Sequence, residues 1–314
     1  SARRRSTRSV TGACRDASRD RVGQTAHMVI ERVGVVGCGL MGSGISEVCA
    51  RAGLDVVVRE ASPEAAEAGL ARLTASLDRA TRGGKLSEAD RDATLARIRL
   101  TTDYGDLADR ELVVEAVVES EELKAEVFGL LDKVVESDDA VLASNTSSIP
   151  IMKLGMATRR PEAVVGIHFF NPVPVLKLVE VVTSLLTAPS TTERAEAFAT
   201  DQLDKCVIRS QDRAGFIVNA LLIPYLLSAI RMLESGFATA EDIDTGMVEG
   251  CAHPMGPLHL ADLIGLDTTM AVADSLYAEF KEPLYASPPL LSRMVEAGLL
   301  GRKAGRGFYD YSRK

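Results

Sequence analysis

The sequence predicts an α/β domain on a doubly wound, largely parallel sheet, followed by an all-helical domain. Three observations carry this reading. Short apolar runs of strand length alternate with amphipathic helical stretches in the first part of the chain, the signature of a parallel sheet covered on both faces. A glycine-rich segment, Gly37-Cys38-Gly39-Leu40-Met41-Gly42, separates the first such run from the first helix. After Asp212 no strand pattern recurs. With 314 residues the chain has room for two domains.

Residues 1–27 hold seven Arg and two Asp among Ser and Thr, without apolar periodicity, and read as a disordered leader. No amphipathic face is visible and Met28 stands just before the first strand, which favours a vector-derived or mis-started leader over a targeting signal. Val33–Val36 reads as the first strand and Met41–Ala52 as a helix closed by Gly53. Val56–Val58 is the second strand. A long polar-faced helix follows Pro63, and another opens at Ser87, with Asp90 three residues on as a capping-box variant. Leu112–Val118 and Val141–Ser144 are buried strands around a helical stretch, Glu121–Val135. Val164–Ile167 and Lys177–Val182 are strands joined by Asn171-Pro172-Val173-Pro174. A helix over Thr191–Leu203 and a strand near Val207–Arg209 complete a domain placed at 28–212. The helices Phe216–Glu234, Glu241–Glu249, Leu258–Ile264, Thr268–Phe280 and Leu290–Ala297 fill the second domain, 213–314, and Pro224 is expected to kink the first of them.

Composition narrows the function. The net charge of −8 divides into about +5 on the leader and about −13 on the body, a poor match for nucleic acid. The longest apolar run, Phe216–Ile230, contains Asn219 and Pro224 and is too short to span a membrane. Five cysteines, an odd number with no C-x-x-C pair, argue against a disulfide framework or structural zinc and for a reducing, cytoplasmic setting. No His, Asp and Glu set has metal-ligand spacing.

The glycine segment fits G-x-G-x-x-G between a strand and a helix, the context that gives this pattern meaning. Gly37 makes the tight turn, Gly39 lets a pyrophosphate approach the backbone, and Gly42 lets helix and strand pack closely. Cys38, Leu40 and Met41 complete the loop, and the phosphates lie at the helix N-terminus. Glu60, about 20 residues on, stands where an acid accepts hydrogen bonds from the adenosine ribose and repels a 2′-phosphate. NAD is therefore favoured, although the adjacent Arg59 guanidinium leaves NADP open. The domain is Rossmann-type on these grounds.

His168 follows a strand, at the carboxyl end where α/β sheets place ligands. Glu180 lies in the apolar run Leu178-Val179-Glu180-Val181-Val182, where a carboxylate is costly unless paired. The two could form a general base and its partner for alcohol oxidation, or a structural salt bridge; spacing does not separate these. His253 and His259 read as capping or packing residues. Asn145-Thr146-Ser147-Ser148 is a polar strand-end loop, either a plain turn or a substrate contact. Asn219 is an amide in a mostly apolar helix and needs a partner, substrate or the other domain.

The segments G-C-G-L-M-G, S-N-T-S-S, H-F-F-N-P-V-P-V-L-K-L-V-E, G-F-I-V-N, H-P-M-G-P and G-R-K-A-G-R-G-F-Y, in this order from about residue 30 to the C-terminus, resemble the 3-hydroxyacyl-CoA dehydrogenases, most of all their bacterial 3-hydroxybutyryl-CoA branch. The resemblance implies NAD as cofactor, an acyl-CoA thioester as substrate, and a helical C-terminal domain that forms a homodimer. It implies His168 as general base, Glu180 as its partner, and Ser147 and Asn219 as substrate-orienting residues. Glu119, Lys124, Ser147, Asn171 and Lys303 are implied beside the NAD, and Ser76 beside the CoA. Three features depart from the family: the leader, Asp204 where Gly is usual, and a thin basic cluster of Arg79, Arg82 and Lys85 with Gly83 in a lysine position. A dehydrogenase of a free hydroxy acid and a non-catalytic NAD-binding protein are the alternatives.

Overall fold

The computed structural model describes residues 29–312, so the leader lies outside the described residues. The first domain is a single sheet of eight strands: β1 (Arg32–Val36), β2 (Asp55–Arg59), β3 (Ile98–Thr101), β4 (Leu112–Glu115), β5 (Val141–Ser144), β6 (Val164–Phe169), β7 (Leu178–Thr183) and β8 (Cys206–Gln211). Their spatial order is β3-β2-β1-β4-β5-β6-β7-β8. β1 to β6 run parallel, and β7 pairs antiparallel with β6. β8 pairs parallel with β7, so the last two strands are reversed. Connection length explains the reversal: residues 170–177 are too few for a crossover, and a direct return is the only route. The sheet is thus doubly wound as expected, with an antiparallel edge that the apolar runs alone did not announce.

Strand alternation sorts side chains into two cores. Val33, Val35, Val56, Val58, Leu112 and Val114 face one side, with Ile45 and Cys49 of α1 (Leu40–Arg51), Leu73 of α2 (Pro63–Arg82) and Ala195 of α6 (Pro189–Ala197). Val36, Val57, Val113 and Leu142 face the other side, with Val127, Phe128 and Leu131 of α4 (Glu121–Val134) and Ile151 and Leu154 of α5 (Ile151–Gly155). Each such side chain stabilises the fold by roughly 1.5–3 kcal/mol when fully buried, so both faces need their helices. Local signals set the helix starts. Ser62 accepts from Ala65 N at 3.2 Å with Pro63 in the first turn. Ser87, capping α3 (Glu88–Ala96), accepts from Asp90 N, one half of the expected box, and donates its hydroxyl proton to the Asp90 carboxylate.

The second domain packs α7 (Val218–Glu234), α8 (Ala240–Cys251), α9 (Pro257–Ile264), α10 (Leu266–Phe280) and α11 (Pro289–Glu296) around Leu226, Leu227, Ile230, Leu258, Leu266, Leu276 and Leu291. α7 continues through Pro224 as one helix. Two buried carboxylates fix the closing segment: Asp262 accepts from Phe308 N and Tyr309 N, and Asp244 accepts from Tyr309 Oη, His259 N and His259 Nδ1. A Cβ on Gly307 would fall 1.9 Å from the Asp262 carboxylate, which is why glycine stands there. His259 stacks on Tyr309 and His253 meets Tyr225 Oη at 3.1 Å, both packing roles. Cys38, Cys49 and Cys251 are free thiols. No helix among the described residues is long and apolar enough to cross a membrane.

Candidate active site

The carboxyl ends of β1, β2, β4, β5 and β6 lie along one edge of the sheet, and the strand order reverses between β1 and β4. Ligands of open α/β sheets bind at such a point. Three glycines build its floor. Gly37 adopts φ +93° and sits against the Ala116 carbonyl. A Cβ on Gly42 would stand 1.8 Å from the Gly37 carbonyl oxygen, so α1 rests directly on the loop. A Cβ on Gly39 would meet nothing within 4 Å, which leaves the backbone open to a bulky anion. Gly39 caps α1 with no side-chain hydrogen bond, so its first amides and its positive dipole end face outward with Leu40 and Met41. This cradle fits the pyrophosphate of a dinucleotide.

Glu60 follows β2 and turns toward the loop, where one oxygen accepts from Cys38 N and the other from Ala61 N at 3.0 Å. Arg72 of α2 reaches the Cys38 carbonyl at 2.7 Å. Burial, with Glu60 beside it, pushes the Cys38 thiol up to about 12, so it is no nucleophile. Arg59 leaves on the opposite side and lies over the Tyr104 ring at 3.9 Å.

Across the switch point a buried polar network joins β4, α4 and β5. The Lys124 ammonium donates to Glu115 at 2.7 Å and lies 3.2 Å from Glu119. Glu115 also accepts from Ser144 Oγ and Val117 N, each at 2.7 Å. Glu119 accepts from Thr146 Oγ1, Ser147 N and Ser148 Oγ. Burial acts to raise the Glu119 pKa, but Lys124 and these hydroxyls outweigh it and hold the carboxyl below the usual carboxylate range. Glu119 and Lys124 are therefore joined to the Ser147 loop, and Glu115 is the member that sequence reasoning missed. The signal was present: a carboxylate in Leu112-Val113-Val114-Glu115 is as conspicuous as Glu180 in its own run.

His168 and Glu180 stand directly opposite each other in the β6–β7 register. The imidazole Nδ1 lies 2.7 Å from Glu180 Oε2. Glu180 is fully buried, and its Oε1 accepts from Ile217 N at 3.1 Å and Val218 N at 3.0 Å, where α7 begins. The imidazole is flanked by Phe170 at 4.5 Å and Phe216 at 5.4 Å between ring centres. Asn145 accepts from Phe169 N at 2.9 Å, which ties the polar loop to the residue after His168. Asn219, second in α7, is half-buried and follows Val218, whose amide Glu180 accepts. The same edge thus gathers His168, Glu180, Ser147, Asn219, Glu119 and Lys124.

Other expected residues are less clearly joined. Asn171 is exposed just after β6. Lys303 lies in a turn of the helical domain and pairs with Asp267 at 2.6 Å; no hydrogen bond among the described residues links it to the sheet. Ser76 is half-buried on α2. Near it a groove of about 560 Å³ between α2 and α3 is lined by Arg82 and Arg91 but also by Asp78, Glu88 and Asp92. That mixed charge suits phosphate poorly and matches the thin basic cluster. Among the described residues no group of His, Cys, Asp and Glu could hold a metal ion.

Comparison with known proteins agrees with this geometry. Residues 32–213 match the 3-hydroxyacyl-CoA dehydrogenase NAD binding domain, and residues 215–311 match the C-terminal domain of the same family. A 3-hydroxybutyryl-CoA dehydrogenase of Mycobacterium tuberculosis is 60% identical over 282 residues, covering 90% of this chain and 99% of that protein. The crystal structure of M. tuberculosis FadB2 superposes with a TM-score of 0.89 at 59% identity, covering 90% of this chain and 99% of that one. The (S)-3-hydroxybutyryl-CoA dehydrogenase PaaH1 of Ralstonia eutropha gives a TM-score of 0.85 at 46% identity, covering 91% of this chain and all of that one. With a dinucleotide cradle at the switch point and both family domains matched in order, this chain belongs to the 3-hydroxyacyl-CoA dehydrogenase family, NAD-dependent oxidoreductases of hydroxyacyl-CoA thioesters.

Proposed function

We propose that the chain oxidises short (S)-3-hydroxyacyl-CoA thioesters, 3-hydroxybutyryl-CoA foremost, with the His168–Glu180 pair as general base. The observation that carries this is the 2.7 Å contact of His168 Nδ1 with a fully buried carboxylate at the cofactor edge. Bound NAD supplies the hydride acceptor. Glu180 holds Nδ1 as the proton-bearing nitrogen, which leaves Nε2 with a lone pair for the substrate hydroxyl proton. As the ring becomes imidazolium, the Glu180 charge stabilises it. Phe170 and Phe216 restrict the ring to one plane and keep water from its faces. Ser147 and Asn219 orient the substrate oxygens; the Glu119–Lys124 network fixes the loop that carries Ser147. Ser76 contacts the CoA, and Asn171 and Lys303 stand beside the NAD.

The working unit in this reading is a homodimer through the helical domain, supported by exposed Leu221 and Phe237 at 72% and 80%. A cytoplasmic location belongs to the same proposal and is supported by the free thiols of Cys38, Cys49 and Cys251. The deciding experiment is NADH oxidation over a series of 3-oxoacyl-CoA thioesters and the corresponding free acids. The highest kcat/KM is expected with acetoacetyl-CoA; equal or better turnover of free acetoacetate would overturn the substrate assignment.

A further inference from the structure

We propose that Tyr104 determines cofactor specificity: it holds the Arg59 guanidinium away from the adenosine ribose and so keeps the chain from accepting NADP. Arg59 and Glu60 are neighbours at the end of β2, and successive side chains of an extended strand leave on opposite faces. Glu60 turns to the glycine loop through Cys38 N. Arg59 turns to the turn after β3, where Cζ lies 3.9 Å over the Tyr104 ring, Nη1 donates to Tyr104 Oη at 3.2 Å and Nε donates to the Thr102 carbonyl at 3.4 Å. No carboxylate among the described residues forms a salt bridge with Arg59, so its position is set by this ring, its hydroxyl and one carbonyl.

Tyr104 is itself held in place. It opens a 3-10 turn, Tyr104–Leu107, capped by Asp103, which accepts from Gly105 N at 2.8 Å. It is half-buried and packs on the core that contains Leu107. Thr101 Oγ1 and Asp106 join the end of β3 to the same turn. A ring fixed in this way offers the guanidinium a flat face and a hydroxyl acceptor at once. Released from it, Arg59 stands one residue from the acid that reads the ribose. A guanidinium there would form charge-assisted, two-pronged hydrogen bonds with a 2′-phosphate and offset the repulsion from Glu60. Glu60 therefore supplies the repulsive half of the discrimination, and Tyr104 removes the attractive half.

Equilibrium binding tests this without any acyl-CoA, by nicotinamide fluorescence titration of NADH and NADPH into the full chain. Tyr104→Leu keeps apolar bulk in the turn and deletes the ring face and hydroxyl. It is expected to tighten NADPH by roughly 10-fold, the worth of a charge-assisted hydrogen bond, with NADH affinity retained. Tyr104→Phe keeps the ring and should give a smaller gain of the same sign. Arg59→Gln should leave the NADPH affinity of the parent unchanged and should abolish the gain in the Tyr104→Leu background. Unaltered NADPH affinity in both Tyr104 variants overturns the proposal. So does a loss of NADPH affinity in Arg59→Gln alone, because Arg59 would then already reach the phosphate. A parallel loss of NADH and NADPH affinity in Tyr104→Leu also overturns it and makes the ring part of the adenine pocket.

Discussion

A carboxylate removed from water persists only where each oxygen has partners, and Glu180 has three: His168 Nδ1, Ile217 N and Val218 N. The division of labour between its oxygens decides what a substitution does. In Glu180→Gln the amide oxygen can still accept from the two α7 amides, but the NH2 group then faces Nδ1. Nδ1 must become an acceptor, the proton moves to Nε2, and the ring loses the lone pair that the proposed mechanism assigns to the substrate proton. Glu180→Gln is therefore expected to lower kcat by roughly 100- to 10,000-fold, as His168→Gln does, the range for loss of a general base. NADH affinity measured by titration should stay near the parent value in both. Near-parent turnover in either variant removes the pair from the mechanism.

At the scale of elements, the glycine loop and α1 show how one motif contains two kinds of glycine. Gly42 is structural: its Cβ would strike the Gly37 carbonyl oxygen at 1.8 Å, and backbone cannot move aside cheaply. Gly42→Ala should destabilise the chain by about 1–3 kcal/mol, the usual cost of overpacking, and lower the melting temperature. Gly39 has no such packing role, and the proposed site gives it to the cofactor: its φ is −66° and its Cβ would meet open space. Gly39→Ala should leave the melting temperature of the cofactor-free protein unchanged and weaken NADH binding at least about 10-fold, because the methyl occupies the approach of the pyrophosphate. If both variants melt alike and bind alike, the separation of roles is wrong. The motif was legible because its spacing is local and its context, strand then helix, is local too. β3 was not legible: Ile98-Arg99-Leu100-Thr101 is a short edge strand with no fully buried residue. α5, at five residues, carries too little periodicity to register. The reversed β7 and β8 followed from the length of the connection, a cue the apolar runs do not contain. In the site, Glu115, the partner of Asn145 and the place of Phe216 escaped notice for a related reason. Their roles are contacts across 29, 24 and 48 residues, to Ser144, Phe169 and His168, and no short motif encodes those.

For the whole molecule, the sheet and helical domains meet through the site itself. Glu180 of β7 receives the first amides of α7, and Ser275 of α10 donates to the Ser148 carbonyl at 3.2 Å. The orientation of α7 is thereby fixed by the catalytic edge, and so is the face that α7 presents outward. That face is apolar but for the exposed Ser228: Ile217, Leu221 and Met232 share one helical stripe, with Phe237 just beyond, at 39, 72, 41 and 80% exposure. A helix apolar on nearly all sides is normally covered on all sides, and here one side is bare in the single chain. In the proposed homodimer a second copy seated on it would bury the stripe and brace α7, and through α7 it would brace Glu180. Light scattering coupled to size exclusion should thus report about twice the chain mass of 33.6 kDa. Leu221→Glu, which puts a charge in the middle of the stripe, should shift the parent toward the single-chain mass and lower kcat more than it changes NADH affinity. A parent that elutes at the mass of one chain at micromolar concentration rules the dimer out. A Leu221→Glu variant that remains dimeric moves the interface to another face of the helical domain.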